Sequence, residues 1–462
     1  MLSSVWLLGL PGNWLLDDFS LLQFEFPTLL RPRPLSYLSF WLNFQLSGAE
    51  PWAFRLTNIV LHAVGVQFCY RALRRLLGER RALFAAAIFA VHPMQADAVL
   101  YIFGRPVVLM GLFVWIALDR WFAGRAWATV GCFALALAAK EEAIVFPLFL
   151  VALHFSMARE SARWKPILAM FLLAFAAGAG VTLATAKVAG SGAGIQAGIS
   201  ALAYLATQPK VLGIYLQQVV FPNFLGFTIQ PELWPESAAW LWLIPLAGLF
   251  AAGLARIRTG WPFWILSAWI FLLPTSSVFP LAELLAFRRM YLPLAFLAAA
   301  VPTVRTAWLT VAVIAFTTVT AHRSFSLYRD PAALWRATLS SQPEELRPLL
   351  QYCKYISAAA ALEELLKRPM LAQHAGYQTE LGRVYLDLQR PAEALNAFGR
   401  ALAIEPEKAS NVYNRGVALA ALGQNEGAII DFKAALAIDP IHQPAHEALT
   451  KLGVAIPSKS AQ

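Results

Sequence analysis

Long apolar runs separated by short polar turns fill the first two thirds of the chain. Runs near the length that crosses a hydrocarbon core recur from about residue 52 to residue 321, and after that charge rises. The run at 2–10 has only about half of that length, so we expect a first helix that is truncated here. The pattern predicts ten further membrane spans, at 52–72, 82–100, 106–122, 126–139, 142–157, 166–187, 239–256, 262–280, 287–302 and 304–321.

Basic residues gather in alternate loops between these runs. Such clusters mark cytoplasmic turns, and here they lie at 71–81, 120–125, 159–165, 256–258 and 305. The segment 188–238 must then return to the side that it left, so it is predicted to hold an interfacial or re-entrant helix. Everything after His322 is expected outside. The outer loops hold most acidic residues of the membrane half, which are Asp17, Asp18, Glu25, Glu50, Asp97, Glu141, Glu142, Glu232, Glu236 and Glu283.

The C-terminal part repeats itself with a period of 34 residues. Five positions match at this spacing: Gly382 and Gly416, Ala394 and Ala428, Phe398 and Phe432, Ala401 and Ala435, and Pro406 and Pro440. Small residues let paired helices approach and the Phe fills the gap between them, as in tetratricopeptide repeats. The stretch that carries Trp335 and Pro343 resembles the tail of a degenerate earlier repeat. Two unrelated helical hairpins are the alternative. Stacked repeats bind peptides or protein partners and carry no chemistry.

Composition agrees with a membrane protein. The chain is 59% hydrophobic and 14% charged, with a mean hydropathy of +0.57, which is too apolar for a soluble chain of 462 residues. Three cysteines exclude a disulfide framework. The net charge of +10 comes from clusters that orient the spans, so no nucleic-acid partner is expected.

The predicted fold class is therefore all-α: a polytopic transmembrane helical bundle of about ten to eleven spans, followed by a soluble α-solenoid. The expected domains are a transmembrane domain at 1–321, degenerate repeat or linker helices at 322–374, and tetratricopeptide repeats at 375–455.

Four polar groups on the outer side are candidates for chemistry, because ionisable residues at a membrane are costly. Adjacent carboxylates suit a general base or a cation site, although a solvated loop is the plain alternative. Two outer arginines run against the positive-inside preference and indicate an anion at that surface. Helix ends with caps and snorkelling side chains explain the other two groups equally well. The groups are Asp17 with Asp18; His92, Gln95, Asp97 and Arg105; Lys140, Glu141 and Glu142; and Arg288, Arg289 and Tyr291.

The motifs, taken in order, resemble those of the transmembrane and tetratricopeptide repeat O-mannosyltransferases and their bacterial relatives, within the C-type glycosyltransferase superfamily. They are "DDF", "RPRPLSYLSFWLNFQLSGAEPWAFRLTNIVLH", "AIFAVHPMQADAVLYIFGR", "AAKEEAI" and "RRMYLP", followed by the repeats. Enzymes of this superfamily use polyprenyl-phosphate sugars at the outer or lumenal face.

The resemblance implies roles for particular residues. Asp17 and Asp18 match the acidic pair thought to be catalytic, while Lys140, Arg288, Arg289 and Arg105 are the candidates that would hold the donor phosphate. Two departures concern the sugar and the acceptor: Phe287 stands where an acid is expected, and Pro106 and Val107 replace a small residue and an acid. The remaining wall of the implied active site is His92, Asp97, Glu141, Tyr291 and Arg33.

The sequence thus predicts a membrane glycosyltransferase that moves a sugar, by an inverting displacement, from a polyprenyl-phosphate donor to a hydroxyl, on a protein or peptide recruited by the repeats. Transfer to a glycan or lipid and a non-catalytic scaffold are the alternatives; a transporter is disfavoured because the spans show no internal repeat. No cofactor is assigned, and a divalent cation near the aspartates stays open without a ligand cluster to indicate it. We expect a bacterial inner-membrane protein, in contact with membrane lipid, with the repeats on the periplasmic side.

Overall fold

The computed structural model describes most of the chain between residues 32 and 454. The described residues are 6–7, 10, 32–157, 163–185, 199–222, 231, 233–238, 260–276, 280–281, 283–301, 307–343, 345–440 and 442–454. Their elements are all helices, and they fall into two compact units, Met1–Asp330 and Pro331–Gln462.

The first unit holds twelve described α-helices. They are α1 (Pro34–Ser47), α2 (Pro51–Leu77), α3 (Glu79–Val91), α4 (Ala96–Val99), α5 (Arg105–Phe122), α6 (Ala126–Ala139), α7 (Phe146–Met157), α8 (Trp164–Thr185), α9 (Ala201–Val220), α10 (Trp261–Leu272), α11 (Tyr291–Ala300) and α12 (Ala307–Leu327). Short 3₁₀ helices join several of them, at Pro93–Gln95, Ile102–Gly104, Glu141–Val145, Glu236–Ala238 and Phe287–Met290.

The second unit holds eight described α-helices and one 3₁₀ helix. The α-helices are α13 (Pro331–Ser341), α14 (Leu346–Cys353), α15 (Ala358–Leu366), α16 (Ala375–Asp387), α17 (Pro391–Ile404), α18 (Ala409–Ala421), α19 (Asn425–Ile438) and α20 (Gln443–Lys451), and the 3₁₀ helix is Pro369–Gln373.

A sharp break interrupts the predicted span 82–100. Helix α3 ends at Val91, His92 adopts an extended conformation, and the helices that follow bend away by 52°. Pro93 lacks the amide hydrogen that would continue the helix, and its ring crowds the preceding turn. The His92 ring instead accepts a hydrogen bond from the Met94 amide at 3.2 Å. The predicted span 82–100 is therefore bent at His92, and its last nine residues form separate short elements rather than a continuation of α3.

Helices α2, α3, α5 and α11 form the buried centre of the first unit. Phe89 of α3 packs edge-on against Trp115 of α5 and against Tyr291 of α11, and all three side chains are buried. Tyr291 lies so close to α5 that a Cβ on Gly111 would stand 2.4 Å from its ring. Apolar side chains are therefore closely interlocked just beneath the polar segments.

The number of predicted spans is not confirmed. Among the described helices, Ile102–Phe122 is long and apolar enough to cross a membrane. The bent pair Glu79–Val91 and Pro93–Val99 would make a second span if its two parts cross together. The α-helices within the predicted spans 142–157 and 287–302 are shorter than those spans, because the 3₁₀ helices Glu141–Val145 and Phe287–Met290 occupy their first residues. The predicted span 239–256 lies outside the described residues. Residues 201–220 do form the predicted helix between spans, with Pro209 inside it.

The predicted repeats are confirmed as paired helices, α16 with α17 and α18 with α19. The matched glycines and phenylalanines face each other within each pair. A Cβ on Gly382 would stand 2.5 Å from the Phe398 ring, and one on Gly416 would stand 2.7 Å from the Phe432 ring. Both rings are buried, at 1% and 2% exposure. Only glycine therefore allows the two helices of a repeat to approach this closely.

Replacing Gly382 by Ala should destabilise the repeats. The new methyl group overlaps a buried ring, and such overpacking typically costs about 1–3 kcal/mol. Hydrogen–deuterium exchange of the full chain should show faster exchange in α16 and α17. The matched control is Gly399→Ala, where a Cβ meets nothing within 4 Å and helix propensity favours alanine. Equal exchange in the two variants would contradict this account of the repeat.

Candidate functional site

Arg288 joins two motif segments that lie far apart in sequence. Its backbone amide donates to Asp97 Oδ2 at 3.0 Å, and its Nη1 donates to the same oxygen at 3.4 Å. Its Nη2 pairs with Glu283. The 3₁₀ turn at Phe287–Met290 directs the arginine towards α4, which is displaced to this position by the break at His92. Two predicted site residues, Asp97 and Arg288, are therefore in direct contact.

The Lys-Glu-Glu segment forms a second set of ion pairs. Lys140 Nζ lies 2.6 Å from Glu142 Oε1 and is only 6% exposed. Arg33 Nε donates to Glu141 Oε2 at 2.9 Å, and Arg33 Nη2 pairs with the other oxygen. Burial opposes the charge on Glu141, but the guanidinium of Arg33 outweighs it and lowers the pKa of Glu141 to about 2. Glu141 is thus ionised throughout the physiological range.

Arg33 has an unusual backbone conformation. Its φ is 60°, in the left-handed region, where a side chain other than glycine costs roughly 1–2 kcal/mol. The same residue precedes α1 and reaches Glu141, 108 positions away. Strain of this kind persists where surrounding contacts fix a residue in place, and it concentrates at functional sites.

Glu142 connects the two sets of ion pairs. Its charge acts on Arg33, on Arg288 and on Tyr204, and Tyr204 in turn lies within reach of Arg289. We call the resulting group the charged cluster. It contains four cationic side chains, Arg33, Lys140, Arg288 and Arg289, and four acidic ones, Asp97, Glu141, Glu142 and Glu283. The formal charges of these eight side chains balance. Each cation in the cluster also has an acidic or carbonyl acceptor.

Burial lowers the pKa of Lys140, and its acidic neighbours only partly offset this. Lys140 therefore releases its proton at a lower pH than an ordinary lysine. Arg289 differs: its Nη1 donates to the Leu284 carbonyl at 2.9 Å and its Nη2 to the Glu283 carbonyl at 2.5 Å, so it shapes the 283–290 turn.

Several polar atoms near the cluster are buried and accept no hydrogen bond from any described residue. They are Asp97 Oδ1, Gln95 Oε1, Gln208 Oε1 and Ser276 Oγ. Buried acceptors are costly when unpaired, so such atoms suit the hydroxyl groups of a ligand. Gln208 and Tyr204 come from α9, and the Tyr204 hydroxyl donates to the Thr275 carbonyl at 2.5 Å. The sequence did not identify this α9 wall, although three glutamines and a proline within an apolar helix were a signal for it.

Arg105, predicted to hold phosphate, is fully buried and has protein acceptors for its guanidinium. Its Nε donates to Asn58 at 2.7 Å, its Nη1 to the Ser39 carbonyl at 3.0 Å and its Nη2 to Asn43 at 2.8 Å and the Phe54 carbonyl at 2.9 Å. The ring of Phe40 lies 4.5 Å from the guanidinium carbon. These contacts hold α1, α2 and α5 together. They do not support phosphate binding by Arg105, which stays a prediction.

Two further predicted wall residues also have protein partners. His92 Nε2 lies 3.1 Å from the Val219 carbonyl of α9. The Tyr291 hydroxyl lies 2.8 Å from His62 Nδ1, within the core between α2 and α11. Asn58 donates to the carbonyls of Val99 and Tyr101 and so positions the loop after α4. Asn58 lies within the quoted motifs, but the sequence did not identify it as a site residue.

The acidic pair Asp17 and Asp18 lies outside the described residues. Among the residues that the structure does describe, no group of three or more His, Cys, Asp or Glu side chains is arranged to hold a metal ion. A divalent cation near the aspartates stays a prediction.

Two known protein families match separate parts of the chain. Residues 31–181 match the family described as dolichyl-phosphate-mannose-protein mannosyltransferase, and residues 379–440 match the tetratricopeptide repeat family. The first match covers Arg33, Asp97, Arg105, Lys140 and Glu141, and the second covers both clear repeats.

Several similar curated proteins are named as protein O-mannosyl-transferases. Protein O-mannosyl-transferase TMTC3 of Mus musculus is 40% identical over 81 residues, 18% of this chain and 9% of its own length. TMTC2 of Mus musculus is 36% identical over 104 residues, covering 21% and 12%. Tmtc1 of Drosophila melanogaster is 37% identical over 120 residues, covering 24% and 14%. The matched segments are thus a small part of each relative. The resemblance to the transmembrane and tetratricopeptide repeat O-mannosyltransferases is confirmed over these segments.

Solved structures show weaker likeness. ArnT from Cupriavidus metallidurans, bound to undecaprenyl phosphate, aligns with 97% of this chain and 76% of its own, at 15% identity and a TM-score of 0.34. MamA aligns with 27% of this chain and 77% of its own, at 22% identity and a TM-score of 0.23. These scores are too low to establish a shared fold.

Proposed function

We propose that this chain is an integral membrane glycosyltransferase that moves a sugar, mannose by its resemblance, from a polyprenyl-phosphate donor to a hydroxyl group of a protein. The charged cluster carries the proposal, because it brings together polar residues of four motif segments that an apolar helical unit has no structural need to gather. The match of residues 31–181 to a mannosyltransferase family supports the same activity.

In the proposed reaction, Asp17 or Asp18 takes the proton from the acceptor hydroxyl. The hydroxyl oxygen attacks the anomeric carbon from the side opposite the phosphate, a bond to the sugar forms, and the sugar–phosphate bond breaks with its electron pair on the leaving oxygen. The configuration at the anomeric carbon inverts. Phosphate leaves well without a protonating acid, so the protein must only stabilise its charge.

Lys140 and Arg288 are the cations best placed to hold the leaving phosphate. Both belong to the charged cluster, and each has an acidic ion-pair partner close by in sequence, Glu142 for Lys140 and Glu283 for Arg288. Since the cluster is electrically balanced, the donor phosphate takes the place of these carboxylates rather than filling an empty cationic site. The buried acceptors Asp97 Oδ1, Gln95 Oε1 and Gln208 Oε1 would then bind sugar hydroxyls.

The repeats bind the acceptor protein or another protein partner, because stacked helix pairs present an extended binding surface. A scaffold without catalysis would need the repeats alone, and the gathered ion pairs of the first unit argue against it. Incubation of the purified chain with polyprenyl-phosphate mannose and a peptide mixture, followed by mass spectrometry of the peptides, tests the proposal. Transfer of mannose to peptides is expected. Mannose found on a glycan or lipid instead would identify the alternative acceptor. No transfer at all would contradict the proposed glycosyltransferase activity.

Raising the pH should weaken donor binding through Lys140. Its charged form binds phosphate, and its pKa lies below the ordinary value of 10.5, so that form is lost earlier as pH rises. Lys140→Arg should remove this alkaline loss, because arginine stays protonated. Donor binding is measured across alkaline pH by competition with a fluorescent polyprenyl phosphate. Glu141 contributes no change over this range, because its pKa is about 2. Identical pH profiles for the two proteins would exclude Lys140 from phosphate binding.

The repeats should lie on the outer side of the membrane. Cys353 is 1% exposed and Cys69 is fully buried, so native thiols are poor probes of this topology. A cysteine in place of the exposed Glu407, in a chain with Cys132→Ala, should react with a membrane-impermeant thiol reagent in intact spheroplasts. Arg80→Cys, on a predicted cytoplasmic turn, should react only after permeabilisation. The reverse pattern would overturn the orientation.

A further inference from the structure

Away from the charged cluster, a second group of arginines surrounds one buried carboxylate. Asp119, near the end of α5, is fully buried. Its Oδ2 lies 2.5 Å from Arg120 Nη2 and 3.3 Å from Arg71 Nη2, and its Oδ1 lies 3.3 Å from Arg75 Nη2. We call these four residues the arginine triad and its acid. One carboxylate neutralises one cation, so among the described residues of this group two positive charges remain in excess.

The arginines point outward as well as towards Asp119. The side chains of Arg71 and Arg75 are 41% and 39% exposed, and that of Arg120 is 25% exposed. Each guanidinium has five N–H donors and uses few of them on Asp119. The Nε of Arg120 is buried without a hydrogen-bond partner among the described residues. Asp119 thus gathers three guanidinium groups, and those of Arg71 and Arg75 are exposed enough to donate to a further acceptor.

Aromatic rings flank this array at the same ends of α2 and α5. Arg71 lies over the Phe68 ring at 5.1 Å and Arg74 over the Tyr70 ring at 5.7 Å. Arg163, which begins the segment leading into α8, lies over the Trp121 ring at 5.3 Å and donates to the Trp121 carbonyl at 2.7 Å. Aromatic residues with arginines are typical of the level where lipid headgroups begin.

From this arrangement we propose that the arginine triad binds the phosphodiester of an anionic glycerophospholipid. Guanidinium groups bind phosphate oxygens in a paired, planar geometry, and two uncompensated positive charges match one singly charged headgroup with charge to spare. Asp119 spaces the arginines and prevents their mutual repulsion from separating α2 and α5. The site is independent of the proposed transferase activity, since none of its residues belongs to the charged cluster.

The test uses the full chain, stripped of lipid in a neutral detergent, with native mass spectrometry and thermal unfolding as readouts. Phosphatidylglycerol should bind about tenfold more tightly than phosphatidylcholine and raise the unfolding midpoint. The variant Arg71→Gln with Arg75→Gln should lose most of this preference. The matched control, Arg80→Gln with Lys165→Gln, removes the same charge from exposed residues of the same predicted face and should keep it.

The variant Asp119→Asn distinguishes two roles of the arginines, binding of a lipid phosphate and simple neutralisation of the buried Asp119. If the arginines bind phosphate in the arrangement that Asp119 maintains, Asp119→Asn should weaken phosphatidylglycerol binding in samples that thermal unfolding shows to be folded, and unchanged binding would overturn the proposed site. Inorganic phosphate in a separate arm distinguishes the source: saturation by millimolar phosphate with no preference among lipids would show a soluble-anion site and overturn the lipid assignment. Equal binding of the two lipids by the wild-type chain would overturn the proposal as well.

Discussion

Replacing Asp17 or Asp18 by Asn should abolish sugar transfer while leaving the protein folded and in the membrane. Loss of a positioned general base typically lowers a rate about a hundredfold to ten-thousandfold, whereas substituting a loop aspartate changes stability by about half a kcal/mol or less. Asparagine keeps the size of the side chain but cannot take a proton. Turnover of polyprenyl-phosphate sugar and thermal unfolding, measured on the same samples, separate the two effects.

The control for these variants is Glu50→Gln, which removes an exposed acid from another predicted outer loop. It should leave turnover unchanged. Donor binding should also be normal in Asp17→Asn and Asp18→Asn, because the base acts on the acceptor. If both keep near wild-type turnover, the pair is a solvated loop and the proposed mechanism fails.

Replacing Arg105 by Met should cause the largest loss of stability of any single change considered. The substitution leaves the buried acceptors on Asn58, Asn43 and two carbonyl groups without their donor. Such losses are not additive, and together they should cost about 3–5 kcal/mol. Thermal unfolding in detergent should show a midpoint lower by about 10 °C, since each kcal/mol shifts it a few degrees.

This variant also decides between two roles for Arg105. If Arg105 binds the donor phosphate, its substitution should lower donor affinity and change stability little. The contacts of Arg105 instead predict a large loss of stability and a small change in the affinity of the folded protein for the donor. Arg105→Lys keeps the charge but not the forked geometry, and it should be nearly as damaging. Arg329→Met, at an exposed arginine, should be close to neutral.

The repeats and the helical class could be predicted from sequence because their signals are local and periodic. A spacing of 34 residues fixes which glycine meets which phenylalanine, and the contacts of Gly382 with Phe398 follow directly. The break at His92 was predictable for the same reason, since Pro93 acts on the turn next to it.

Contacts between distant segments were not predictable. Nothing local distinguishes Arg288, which meets Asp97 across 191 positions, from Arg105, which turns inward to Asn58, although both looked like anion ligands. Which partner an arginine finds depends on how α2, α4 and α11 pack. Span length failed for a related reason: hydropathy does not distinguish an α-helix from the 3₁₀ helices Glu141–Val145 and Phe287–Met290, which occupy the first residues of two predicted spans.

The electrical balance of the charged cluster bears on how a reaction cycle ends. A polyprenyl phosphate held by uncompensated cations would dissociate slowly, because its departure would leave buried positive charges unpaired. Here Glu142 and Glu283 stand beside Lys140 and Arg288 and can pair with them again as the product leaves. The acids of the cluster would therefore set the rate of product release, and a substitution such as Glu142→Gln would slow turnover by retaining the spent carrier.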